Sequence, residues 1–277
     1  MGARVRRIPF HPAEVLMNAL ADRKAFFWSI GSLITLAWLT LWIWDRSPYG
    51  RYLDHGQLGQ IDFFDGAASL VVPAALYLLG WTLMTTAMML PTTLPLLTIF
   101  QRLTLHRPER SQLMALVITG YLSVWAGFGV AAHLADWLLH EVVERAAWLE
   151  ANAWVIGAST LLLAGGFQFS RLKYRCLDKC RAPLSFVMEY WRGRHDRHNA
   201  LLLGVHHGLF CVGCCWALML LMFGVGVGNI GWMLALGVIM AVEKNMPWGR
   251  KLSGPLGVIL IASGAIIFLN HSWFRQN

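Results

Sequence analysis

Residues 201–223 read LLLGVHHGLFCVGCCWALMLLMF. The stretch holds no Asp, Glu, Lys or Arg over 23 residues. A helix of that length rises about 34 Å, enough to cross a hydrocarbon layer of ~30 Å. Its apolar residues run continuously, without the period-two alternation of a barrel strand, and helices and closed barrels are the two structures that satisfy a backbone in lipid. The run therefore reads as a transmembrane helix. Six similar runs surround it, at 26–44, 70–90, 113–134, 153–172, 230–242 and 256–269. The second stops or kinks at Pro91 and Pro95, and the sixth is the shortest.

The charges between these runs test the reading. With the N-terminus inside, 19 of the 23 Lys and Arg residues fall in inner segments, 8 of them between Arg171 and Arg197. The outer segments carry Arg46, Arg51, Arg145 and Arg275, against Asp45, Asp54, Asp62, Asp65, Asp136, Glu141, Glu144 and Glu150. Such a bias in every loop predicts orientation. An even number of spans would break the alternation. The expected fold is thus an all-α, polytopic transmembrane bundle of seven spanning helices, N-in and C-out. Its parts are a cytoplasmic segment 1–25, a helical domain 26–270 with a long cytoplasmic loop at 171–199, and an outer tail 271–277. Within that loop the fourth helix is expected to continue to Arg181, where Pro183 interrupts it. Gly224, Gly226, Gly228 and Gly231 predict a flexible turn before the sixth helix.

Composition agrees. Hydrophobic residues make up 57 % of the 277-residue chain and charged residues 14 %, against about 25 % charged in ordinary soluble domains. The 14 Trp suit interfacial anchors. A net charge of +8 in a soluble protein would suggest nucleic acid; distributed over short loops it suits a membrane, so the bilayer and not nucleic acid is the expected partner. The first apolar run follows polar and basic residues and has no small-residue cleavage site after it, so no cleaved signal peptide is expected. Nucleotide-binding, Gly-x-Ser-x-Gly, His-Glu-x-x-His and Asp-Phe-Gly motifs are all absent, which removes the usual signatures of ATP-driven pumping and hydrolysis.

The five cysteines lie between Cys176 and Cys215. Cys176 and Cys180 share a helix face at i and i+4. Cys211 stacks with both Cys214 and Cys215; His207 lies one turn before it, Met219 and Met222 beyond. Topology brings four groups to the same inner layer: Cys176 with Cys180, His206 and His207 with Cys211, Met84, Met88 and Met89 before Pro91, and Glu243 with Lys244. Thiolate and thioether select soft ions such as Cu(I), and thiolate with imidazole suits Zn(II). The candidate metal ligands are Cys176, Cys180, His207, Cys211, Cys214, Cys215, Met84, Met88 and Glu243. Each has a plainer reading beside it. Cysteine and methionine are common core residues, His206 and His207 suit hydrogen bonds inside a bundle, and Glu243 and Lys244 suit the interface, with Lys244 snorkelling.

These segments together resemble a bacterial family of integral membrane proteins described as metal-binding, a domain of unknown function. The resemblance runs from the second helix onward. It rests on Trp81-Thr-Leu-Met-Thr-Thr-Ala-Met-Met-Leu-Pro91, Lys173-Tyr-Arg-Cys-Leu-Asp-Lys-Cys-Arg-Ala-Pro183, Gly208-Leu-Phe-Cys-Val-Gly-Cys-Cys-Trp216, Gly-Asn229 with Trp232-Met233, and Glu243-Lys244 followed by Pro247. It departs at Gly226-Val-Gly-Asn229, where the family tends to carry a methionine. The resemblance implies metal binding and a bacterial inner (cytoplasmic) membrane location.

Three functions follow as expectations. The first is a membrane protein that binds Cu or Zn near the cytoplasmic leaflet for transport or delivery, with a membrane or metallochaperone protein as partner. The second is a membrane thiol–disulfide redox protein. In the third the chain is an accessory or structural subunit of a larger membrane complex.

Overall fold

The computed structural model describes residues 12–46, 67–191, 196–225 and 230–276. Every regular element among them is helical. The helices are α1 (Pro12–Asp45), α2 (Ala67–Met89), α3 (Leu94–Leu103), α4 (Arg110–Arg145), α5 (Trp154–Phe167), α6 (Arg171–Arg181), α7 (Pro183–Tyr190), α8 (Asp196–Val225), α9 (Ile230–Asn245) and α10 (Ser253–Gln276), with single turns at Ala147–Glu150, Pro91–Thr93 and Gly249–Leu252.

The opening run 201–223 lies within α8, the hub of the bundle, with α4, α5, α6, α7 and α9 all packed against it. α4 comes closest. A Cβ at Gly204 would run into the Val117 carbonyl, and one at Gly120 into the Leu201 carbonyl, so the two backbones meet through glycines, as small residues allow in membrane helices. α2 joins the far side of α4, where Tyr77 donates to the Gly129 carbonyl at 2.9 Å and Trp81 Nε1 to the Trp125 carbonyl at 2.8 Å. α1 lies on α2, and α10 on α5.

Two breaks shape the core. Leu90 N reaches back to the Thr85 carbonyl at 3.3 Å, one residue further than an α-helical bond. Pro91 has no N–H to continue the ladder. The chain turns through 43° there and resumes as α3, with Pro95 in its first turn. The kink expected at Pro91 is present. The second break differs from expectation. The fourth run does not continue straight to Arg181: α5 ends at Phe167, the Ser170 hydroxyl accepts from Lys173 N at 3.1 Å to cap a new helix, and α6 leaves at 62°. A capping serine after a Gly-Gly pair offers the backbone an alternative to the helix, which periodicity alone does not register. Pro183 then opens α7.

Among the described residues, four helices are long and apolar enough to cross a membrane, and six if each bent pair is one span. The sixth run is α9, whose 16 residues rise about 24 Å, short of a ~30 Å layer. Large apolar side chains cover the outside, among them Trp28 at 73 % and Leu269 at 68 % exposure. The glycine turn at 226–229 and the 47–65 part of the outer loop lie outside the described residues.

The basic loops gather at one end. Arg107 meets Asp196 at 2.6 Å and Arg197 meets Glu109 at 3.3 Å, tying the α3–α4 connection to the start of α8. Lys179 meets Glu189 at 2.6 Å, and Arg250 meets Asp178 at 3.5 Å. Arg181 donates to the Glu243 carbonyl and, at 2.9 Å, to the Pro247 carbonyl.

Candidate metal centre

The middle of α8 carries Cys211, Cys214 and Cys215, all at most 2 % exposed. They belong to one core cluster with Cys176, Met84, Met88, Met89, Met219 and Met222. The Cys214 thiol is in hydrogen-bond contact with the thiols of Cys180, Cys211 and Cys215, so α6 and α8 bring four sulfurs together. The expectation that the two cysteine groups share a layer is met, and they touch. Cys176 comes in beside them because residue 213 is glycine: a Cβ there would lie 2.6 Å from Cys176 Sγ. All five cysteines are free, and Cys180 is the one partly exposed.

The sulfurs are held by other partners. Cys214 and Cys215 donate to the same Cys211 carbonyl, at 3.1 and 2.9 Å. Cys211 Sγ lies 3.0 Å from the Tyr121 hydroxyl and 2.8 Å from Lys244 Nζ. The same ammonium is 3.8 Å from Cys215 Sγ, 3.9 Å from Met89 Sδ and 3.3 Å from Thr92 Oγ1. Among the described residues no group of three or more His, Cys, Asp or Glu side chains is arranged to hold a metal ion. The donors are gathered, but not in a coordinating arrangement.

Of the two histidines, His207 is the buried one, 4 % exposed. Its ring lies against Tyr121 and Phe186, with centroids 5.7 and 5.4 Å away. It interacts electrostatically with Lys244 and Cys214. Its Nδ1 is buried with no hydrogen-bond partner among the described residues, an orphaned nitrogen that calls for an explanation. His206 is otherwise engaged: Nδ1 lies 2.7 Å from the Leu202 carbonyl and the ring stacks on Tyr190.

Glu243 is placed apart from the sulfurs. Both its oxygens face Lys173 Nζ, at 2.9 and 2.8 Å, and Ser253 donates to Oε1 at 2.7 Å. Lys173 also donates to Gln168. Met88 packs toward Gly237 of α9, and it is Met89 whose thioether reaches Lys244. Tyr121, Lys173 and the inward direction of Lys244 were missed by the sequence reading. Tyr121 carries no signal within an apolar run, and Lys173 is one of several cations in a basic stretch.

A soft, largely uncharged donor set suits Cu(I): thiols, a thioether and a free imidazole nitrogen, with no carboxylate among them. A copper chaperone family model matches residues 78–267, more than half of the chain. The chain belongs to this family, PpoB2. The match begins in α2 and ends in α10, so it takes in every residue of the sulfur cluster. No curated protein and no solved structure matches the chain.

Proposed function

We propose that the chain is a multi-pass protein of the bacterial cytoplasmic membrane that takes up Cu(I) in the sulfur cluster of α6 and α8 and hands it to a protein partner. The observation that carries this reading is the contact of Cys180, Cys211, Cys214 and Cys215 in the buried core of a chain that belongs to a copper chaperone family. Zinc is the weaker candidate, since carboxylate and a second imidazole are absent from the cluster.

The basic end of the bundle is the cytoplasmic face, by the bias of Lys and Arg toward that side. The ion pairs between the 102–110, 171–199 and 244–251 segments support one common face for them. α8 leaves that face and α9 returns to it, and this parity makes α9 the sixth of seven crossings, with the N-terminus inside and the C-terminus outside.

Copper is cargo here, so the site must release as well as bind. Cys180 is the partly exposed sulfur and touches Cys214. It is the entry ligand, from which the ion passes to Cys214 and then to Cys211 and Cys215 by stepwise exchange. His207 Nδ1 supplies a nitrogen to the inner position. Each thiol that becomes a ligand gives up its proton. Burial argues against a disulfide relay, since exchange needs an accessible thiolate to attack, and Cys211, Cys214 and Cys215 are enclosed.

The test is the metal content of the protein purified in detergent under reducing conditions and loaded with Cu(I). Wild type is expected to hold copper stoichiometrically and the Cys211→Ser, Cys214→Ser, Cys215→Ser variant to lose it. Equal copper in both would remove the assignment.

A further inference from the structure

The sulfur cluster already contains a cation. Lys244 comes in from α9, 5 % exposed, and its Nζ sits among Cys211 Sγ at 2.8 Å, Cys215 Sγ at 3.8 Å and Met89 Sδ at 3.9 Å, with Thr92 Oγ1 at 3.3 Å. Two thiols and a thioether around one point form a donor set for Cu(I). That point is filled by an ammonium.

The surroundings are poor for an ammonium. A buried charge ordinarily needs an opposite charge or strong acceptors. Sulfur in thiols and thioethers is a weak acceptor. The nearest carboxylate along the helix, Glu243, is engaged with Lys173 and Ser253. Thr92 offers its oxygen while its own proton goes to the Met89 carbonyl at 2.7 Å. The break at Pro91 sets both Met89 and Thr92 at this point. Lys244 is therefore held closely but weakly, on a four-carbon stem that can withdraw while α9 stays fixed by Lys173 and Arg181.

We propose that Lys244 is the counter-cation of the metal-free pocket, and that loading is a cation exchange in which Cu(I) takes its place. This rests on the copper reading above. Copper remains Cu(I) throughout and no electron moves. Cu–S bonds form as the N–H···S contacts break, and any proton still on a ligating thiol leaves to solvent. On unloading the ammonium returns to the sulfurs. The competition lowers copper affinity and speeds release, as a carrier requires: a ligand that must displace a resident group binds more weakly by the stability of what it displaces.

The experiment is a titration of Cu(I) against a chromophoric Cu(I) chelator, without oxygen, on the full chain in detergent. Lys244→Gln, which removes the competing charge, is expected to bind Cu(I) at least about tenfold more tightly than wild type, and to surrender it to the chelator more slowly. Copper binding by wild type with equal or weaker binding by Lys244→Gln would overturn the exchange and leave the copper site standing. No copper binding by wild type would overturn both. Lys244→Arg retains the cation and is expected to match wild type or bind more weakly. It carries the test alone if Lys244→Gln does not fold, and a tenfold gain in affinity by this charged variant would also overturn the proposal.

Discussion

Glu243 and Lys244 are neighbours on α9, yet they end in unlike surroundings. Glu243 turns toward α6 and α10, where Lys173 and Ser253 satisfy its carboxylate and Gln168 takes a further contact from the Lys173 ammonium. Charges balance, and each group has a hard partner of oxygen or nitrogen. Lys244 turns toward α2 and α8, where an ammonium faces thiols and a thioether. The first cluster is chemically complete and leaves nothing to offer a ligand. The second holds soft donors around a hard cation, a mismatch that a soft ion relieves. One helical turn thus fixes a structural tie and a binding pocket together. The difference between them lies in acceptor chemistry, since both are buried to the same degree.

The comparison breaks most sharply at Lys173. It is fully buried, and its partner Glu243 is 2 % exposed. Truncating one member of such a pair strands the other, at a cost of about 3–5 kcal/mol. Glu243→Ala and Lys173→Met are each expected to destabilise the bundle by this amount in detergent–denaturant unfolding. The double variant Lys173→Met, Glu243→Leu is expected to recover most of the loss, because both charges leave together. Copper affinity of the double variant is expected to stay close to wild type. A large loss of copper binding at retained stability would show that the two clusters are one unit.

How much of this was legible beforehand follows the same division. The line His207, Cys211, Cys214, Cys215 is a matter of helical spacing on an uncharged run, and sequence suffices for that. The meeting of Cys180 with Cys214 needed the 62° turn at Ser170, which places α6 across α8. The one-letter pattern shows a capping serine but not an angle. Met89, rather than Met84 or Met88, reaches the pocket because the helix widens by one residue before Pro91. A straight helix would have favoured other methionines. The Glu243–Lys244 pair was read in reverse. An intramembrane carboxylate suggests a ligand, and a lysine at a helix end suggests snorkelling. The partners that decided otherwise, Lys173 and Cys211, lie 70 and 33 residues away.

A smaller effect sharpens the sulfur side. Tyr121 places its hydroxyl 3.0 Å from Cys211 Sγ and 3.3 Å from the Met89 carbonyl. It thus links the two helices that supply the pocket, in the manner of a group that orients ligands without binding the metal. Tyr121→Phe keeps the ring against His207 and removes that link. Copper affinity is expected to fall by about tenfold, the lower end for such supporting groups, with a stability loss of about 1 kcal/mol. Unchanged affinity would confine Tyr121 to packing.

The smallest effect belongs to the water-facing ties. Arg107 and Asp196 form a close ion pair at 2.6 Å, but their side chains are 49 % and 22 % exposed. Solvent screens such a pair, and holding two long side chains in register offsets much of the attraction, so pairs of this kind contribute about 0.2–1 kcal/mol. Arg107→Ala is expected to lower stability by no more than that, with the deficit shrinking further as ionic strength rises and the Debye length contracts. Copper affinity should not change. The contrast with Lys173 is then one of environment: both are cations paired to carboxylates at hydrogen-bond distance, and burial alone separates a loss of several kcal/mol from one near the limit of measurement. An Arg107→Ala deficit as large as that of Lys173→Met, persisting in high salt, would mean that the α3–α4 connection is held far more rigidly against α8 than its exposure allows.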